Sequence, residues 1–284
     1  FAPSRTPPTA RATCAFGVQG GWRLIPVIYA VLLIIVGILT LIIVPKDDRA
    51  PGTSKPISEM LQPLRHIRVW RFSLYYVTVF GAYVALSAWL PKYYVDNFDV
   101  SLTTAGLLTA TYIFPASLLR PLGGWMSDRW GARRVMYATF GIMLVASGIL
   151  TMPDGHITIY HPDGSESDLM FYEISLPFFV LLVFILGCAM GFGKAAVYKH
   201  IPDYFPDNVG SVGGLVGMLG GLGGFILPPL FAYTKTWSGF PSSTFFCIFV
   251  LVAISFAWMH LTVYRLMHKA TPKLAREIEE PVTV

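Results

Sequence analysis

Arg120 and Lys194 are the two residues of this 284-residue chain whose type and placement most clearly point to chemistry. Each interrupts an apolar run, where a cation is costly and usually faces a cavity or a partner. Arg120 lies eight residues before Asp128, roughly 12 Å further along a helix, too deep for its head to reach water easily. No Asp or Glu lies deep in any apolar run to neutralise it. A buried cation without an acidic partner suits an anionic ligand, and the planar guanidinium fork matches a planar oxyanion. The residues leave another reading open: an arginine bonded to helix carbonyls, or to a carboxylate supplied from elsewhere. Lys194, at similar depth, either adds positive charge to the same pathway and titrates there, or snorkels to the interface. Lys199 and His200 are nearer the end of their run.

Tyr75, Tyr76, Phe80 and Tyr83 fall in one apolar stretch, with Tyr76, Phe80 and Tyr83 sharing a helical face by spacing. Tyr76 can donate a hydrogen bond to an anion and Phe80 can exclude water, although ordinary helix packing explains the same spacing. Further on, Gly210, Gly214, Gly217, Gly221 and Gly224 recur at three- and four-residue steps. They are expected to form one bare face on which another backbone approaches or slides, or is packed in place. Pro228 and Pro229 follow and invite a kink.

The strongest local pattern is Gly124-Trp-Met-Ser-Asp128-Arg129-Trp-Gly131-Ala-Arg133-Arg134. It resembles the Gly-x-x-x-Asp-Arg/Lys-x-Gly-x-Arg/Lys-Arg/Lys loop of the major facilitator superfamily. Gly131 permits a tight turn between antiparallel helices. Asp128 can pair with a neighbouring Arg or a helix N-terminus, forming a conformational latch. A basic turn that merely sets topology is the simpler alternative.

These residues need elements that hold them in lipid. Hydrophobic residues make up 54% of the chain and charged residues 13%, about half the charge of a soluble domain. The stretch 24–44 carries no charge at all. In a bilayer such runs must satisfy their backbones internally, as helices do. The fold expected is therefore an all-α polytopic membrane protein. Seven spans can be drawn, near 24–44, 72–92, 103–126, 135–152, 176–197, 209–233 and 243–266. The basic segments 45–71, 128–134 and 269–284 fall on one side, which marks it as cytoplasmic. The loop 153–175, with five acidic residues and no Lys or Arg, falls outside. Arg5 and Arg11 are the misfits. Two Asp-Gly pairs around Thr158, Ile159 and Tyr160 suggest a small hairpin in that loop. The net charge of +5 is spread over loops; it argues against nucleic-acid binding and for the positive-inside bias. Cys14, Cys188 and Cys247 show neither disulfide nor metal spacing. No metal or cofactor is expected.

Taken together, these stretches resemble the nitrate/nitrite porter family of that superfamily. Ala116 to Asp128 looks like its eighth helix, which carries a substrate-binding Arg. Gly191 to Lys199 and Gly210 to Phe225 look like its tenth and eleventh, the latter Gly-rich. Ser73 to Gly81 looks like the seventh. The resemblance covers nearly all of 22–268. It implies a secondary transporter for nitrate or nitrite, not an enzyme, working by exchange or with protons. It implies that Arg120 and Tyr76 bind the anion, that Phe80 and Tyr198 wall the cavity, and that Gly220 and Gly224 contact it or permit sliding. It also implies that helices six to twelve of twelve are present. Residues 1–44 would end an N-terminal bundle that is otherwise missing, 45–71 would be a cytoplasmic linker, 72–268 a six-helix bundle and 269–284 a cytoplasmic tail. The Lys at 194 goes with proton-coupled uptake in this resemblance. A major facilitator for another small or organic anion is the main alternative. A redox anchor subunit would need paired ligands. His66, His156, His161, His200, His260 and His268 give no such pair within the spans.

Overall fold

The computed structural model describes residues 24–43, 56–152, 155–160, 166–172 and 174–270, with 156–160, 166–172 and 266–270 described by backbone alone. The expected linker segment 45–55, the tail from 271, and Asp163-Gly164 of the loop lie outside these residues. Two compact units are resolved, 1–56 and 57–284. In the first, α1 (Leu24–Ile43) is a helix of 20 residues, about 30 Å long and so matched to a hydrocarbon core.

The second unit begins earlier than the apolar pattern indicates. Residues 57–71, placed by sequence in a linker, are helical: α2 (Ile57–Leu61), a 3₁₀ turn (Gln62–Arg65) and the start of α3 (Ile67–Tyr76). A π turn (Val77–Gly81) joins α3 to α4 (Ala82–Phe98) without breaking the span. Then follow α5 (Leu102–Leu118), α6 (Arg120–Trp130), α7 (Ala132–Thr151), α8 (Leu176–Tyr204), α9 (Val209–Ser238) and α10 (Ser243–Ala270). Ser101 caps α5 by accepting from the Thr104 amide at 3.2 Å.

Among the described residues, six helices are long and apolar enough to cross a membrane, and α5 with α6 makes a seventh as one bent span. This matches the seven expected spans. The third, drawn near 103–126, turns by 41° at Leu119. Pro121 has no N–H to give the Ser117 carbonyl and its ring crowds that turn. Pro228 and Pro229, by contrast, are accommodated inside a continuous α9.

The expected hairpin is present. β1 (Gly155–Tyr160) and β2 (Glu166–Tyr172) pair antiparallel, with an irregularity between Ile157 and Thr158. The fold is thus helical wherever it spans, with strands only in this loop among the described residues.

The core runs along α3, the π turn, α4, α5, α7 and α8 through Val69, Val79, Leu86, Tyr112, Phe140 and Leu186, all fully buried. Val145, Phe184, Phe246 and Ile254 are exposed, which suits lipid and not water. At one end of the unit Asp96 binds Lys92 of its own helix at 3.3 Å and Lys235 of α9 at 3.2 Å. Asp128 lies at the other end.

Candidate functional site

The π turn sets the site. It adds a residue to one helical turn, a distortion common at functional positions, and the Tyr76 and Phe80 rings stack across it with centroids 5.0 Å apart. Beside it α3–α4 and α9 touch backbone to backbone. A Cβ on Gly81 would lie 2.7 Å from the Gly220 carbonyl oxygen and 2.9 Å from Gly223 Cα. A Cβ on Gly220 would lie 2.2 Å from Cδ1 of Tyr76. The Tyr76 ring therefore rests on bare α9 backbone.

Tyr198 of α8 meets Tyr76 edge-on at 4.9 Å. Its hydroxyl donates to the Gly213 carbonyl at 3.1 Å and occupies the space that a Cβ on Gly217 would need. The Arg120 guanidinium carbon is 5.8 Å from the Tyr198 ring centroid. The Arg120 guanidinium and the Tyr198 hydroxyl are the polar groups that act on the Tyr76 hydroxyl. Arg120 itself is exposed in this chain, at the start of α6 just past the bend.

Lys194 does not snorkel. It is 2% exposed, and its Nζ donates to the Ala116 carbonyl at 3.3 Å. The ammonium lies 3.1 Å from the Tyr83 ring centroid and 5.9 Å from that of Phe80, a cation–π arrangement on two rings. The ion pairs among the described residues use Asp96 and Asp128, and neither Arg120 nor Lys194 is in one. A buried ammonium held by one carbonyl and two ring faces, near an arginine, is an electropositive setting that favours an anion.

Arg120, Tyr76, Phe80, Lys194, Tyr198 and Gly220 thus come together. Gly224 does not join them: its missing Cβ makes room for Val84, whose Cγ1 would lie 2.7 Å away. The expected Gly stripe also divides. Gly217 and Gly224 face neighbours, but Gly210, Gly214 and Gly221 have nothing within 4 Å of a Cβ. The close-contact face runs instead through Gly217, Gly220, Gly223 and Gly224, because it is the π turn and Tyr198 that come up against α9. Tyr83 was legible only as a face-mate of Tyr76, seven residues on. Its hydroxyl meets Ser117 Oγ at 3.0 Å, tying Lys194's ring platform to α5.

At the far end of α6 the loop motif is folded as a tight turn. Gly131 has φ of +87°, a conformation that a side chain would strain. Asp128 pairs with Lys199 of α8, not with an Arg or a helix N-terminus. Arg129 lies over the Trp125 ring at 5.6 Å, Gly124 has open space around it, and Arg133 turns toward α3 and α8. Gly123 lets α6 approach α8 until its Cβ would be 2.6 Å from Phe192 Cα.

A model of the Major Facilitator Superfamily matches residues 12–149 and again 73–283. The chain belongs to the major facilitator superfamily. Within the superfamily it is 60% identical over 262 residues to the probable nitrate/nitrite antiporter NarK1 of Thermus thermophilus, covering 92% of this chain and 59% of that protein. It is 29% identical to the nitrite extrusion protein of Bacillus subtilis over 84% of this chain and 56% of that one. It is 28% identical to the probable nitrate transporter NarT of Staphylococcus epidermidis, over 82% and 56%. The chain therefore spans little more than half the length of these relatives. Tetrameric PepTSo2 shares the fold at a TM-score of 0.53 and 16% identity, over 72% of this chain and 41% of that one.

Proposed function

We propose that this chain is the larger part of a secondary transporter that moves nitrate, nitrite or both across the cytoplasmic membrane by alternating access. The observation that carries the reading is the convergence of Arg120 and buried Lys194 on one aromatic cluster, neither of them in an ion pair with a carboxylate among the described residues. The names of the relatives point to the same cargo. Arg120 and Tyr76 bind the anion, Phe80 and Tyr198 wall it off, and Gly220 holds α9 against Tyr76. Lys194 supplies a second positive charge and is the group through which protons would couple. Gly224 keeps α9 close to α4. The opposite wall would come from the part of the longer relatives that this chain does not match. The open faces of Gly214 and Gly221 are where such a wall would slide.

The Asp128–Lys199 pair is the latch in this scheme, with Gly124, Arg129, Gly131, Arg133 and Arg134 shaping its turn. An ion pair that is half exposed on both sides is weak, near 0–1 kcal/mol, and so can be exchanged for another partner as the bundle rocks.

Transport by the full-length gene product in proteoliposomes tests the function. Nitrite-loaded vesicles should take up nitrate, and an imposed pH gradient should drive uptake if protons couple. Lys194→Met keeps the apolar volume against Tyr83 and Phe80 but removes the charge. A unit charge a few ångströms away is worth a few kcal/mol at an effective dielectric near 20, so nitrate affinity should fall by about tenfold or more. Transport of a dicarboxylate with no nitrate uptake would move the reading to an organic-anion carrier.

The turn 128–134 is placed in the cytoplasm and the loop 153–175 outside, from their opposite charge. Single cysteines at Ser165 and at exposed Trp130, in a cysteine-free background, should react oppositely with an impermeant maleimide on intact cells. Labelling of Trp130→Cys from outside would reverse the topology.

A further inference from the structure

A second cationic site lies across α3 from the aromatic cluster. Tyr76 turns to α9, but its neighbour Tyr75 meets Phe140 of α7 edge-on at 5.6 Å. On that side Arg71 is 8% exposed, and its buried Nε has no hydrogen-bond partner. Its guanidinium carbon lies 5.1 Å from the Phe72 ring centroid and 5.9 Å from that of Tyr204. Arg68 reaches the same Tyr204 ring at 5.7 Å. Arg71 and Tyr204 border two cavities. One, of about 270 Å³, is also lined by Arg68, Trp258 and Arg265. The other, of about 30 Å³, is also lined by Arg133 and His200. Four arginines from α3, α7 and α10 thus converge, and none is in an ion pair among the described residues. Asp203 is within electrostatic reach of His200 but pairs with none of them.

A nearly buried arginine with an unpartnered Nε calls for an acceptor that the described residues do not supply. Arginine forks suit phosphate. The site is also at the right depth for a headgroup: Arg68 and Arg71 open the span Ile67–Phe98, and Arg265 closes the span Ser243–Arg265. Trp70 and Tyr264 are about half exposed beside it, as aromatic side chains at a membrane interface are. Exposed Ile67 and Leu261 offer acyl chains a surface, which a soluble phosphate would not need.

We propose that the cavity between α3, α8 and α10 binds the phosphate headgroup of an anionic phospholipid. The site is separate from the nitrate reading and stands or falls apart from it.

The test is native mass spectrometry of the full-length gene product with added phosphatidylglycerol or phosphatidylcholine. Phosphatidylglycerol should be retained preferentially. Arg68→Gln and Arg265→Gln change exposed rim residues and should each weaken that retention about fivefold. Arg71→Gln should weaken it further. Equal retention of the two lipids would overturn the proposal. So would phosphatidylglycerol retention that is unchanged in the folded Arg68→Gln and Arg265→Gln proteins. Displacement of phosphatidylglycerol by millimolar inorganic phosphate would also overturn it, in favour of a soluble-anion site.

Discussion

Gly220→Ala should abolish nitrate binding and lower the thermal midpoint, whereas Gly221→Ala, one residue on, should leave that midpoint unchanged or raise it. The two glycines look alike in sequence, but a Cβ at Gly220 would fall 2.2 Å from the Tyr76 ring while one at Gly221 meets nothing within 4 Å. The ring has nowhere to retreat. Phe80 is stacked on it, and Tyr198 stands edge-on at 4.9 Å. Overpacking of this kind costs about 1–3 kcal/mol, and relief requires the Tyr76 hydroxyl to leave its place beside Arg120. At Gly221 a methyl restricts only the unfolded chain, a gain of about 0.4–1 kcal/mol. The pair Gly220→Ala with Tyr76→Ala separates the two consequences. Gly220→Ala should lower the thermal midpoint less in the Tyr76→Ala background than in the parent, because the clash is gone, but nitrate affinity should not recover, because the hydroxyl is gone too. Unchanged nitrate affinity in Gly220→Ala would show that the anion does not depend on where Tyr76 is held.

What could be read in the sequence follows from how local each signal is. The spans, the hairpin in the 153–175 loop and the tight turn at Gly131 depend on composition or on a few adjacent residues, and they are where the pattern put them. The contact face of α9 depends on a partner. With glycine at 210, 213, 214, 217, 220, 221, 223 and 224, almost every face of that helix is partly bare. Only the arrival of Tyr76, Val77, Val84 and Tyr198 selects one. The start of the second unit was obscured because α2 and the 3₁₀ turn are short and polar enough to resemble a linker. The π turn leaves no mark in Val77–Gly81, since an inserted residue does not change which types are apolar. Lys194 illustrates the same limit. Depth along a helix leaves snorkelling open, and the Tyr83 ring that captures the ammonium comes from another helix. Asp128 was legible as half of an ion pair, but Lys199 as its partner required α6 and α8 to meet at Gly123.

Arg120 is where the account is most exposed, because charge and geometry can be separated there. Arg120→Lys keeps a cation near Tyr198 and Tyr76 but loses the fork, so nitrate binding should weaken markedly. Arg120→Ala loses both. Charge-assisted hydrogen bonds are each worth about 1.5–3 kcal/mol, so removing the fork should weaken binding by about 100-fold or more. The substitution should leave the fold intact: Arg120 is exposed, its described contacts are the face of Tyr198 and the Tyr76 hydroxyl, and exposed sites of this kind usually change stability by about 0.5 kcal/mol or less. A structural arginine predicts the reverse, a poorly folded Arg120→Ala protein. The decisive measurement is calorimetric nitrate binding to purified full-length Arg120→Ala protein whose thermal midpoint matches the parent. No detectable binding is the predicted result. Parental affinity in that folded protein would contradict the assignment of the anion site.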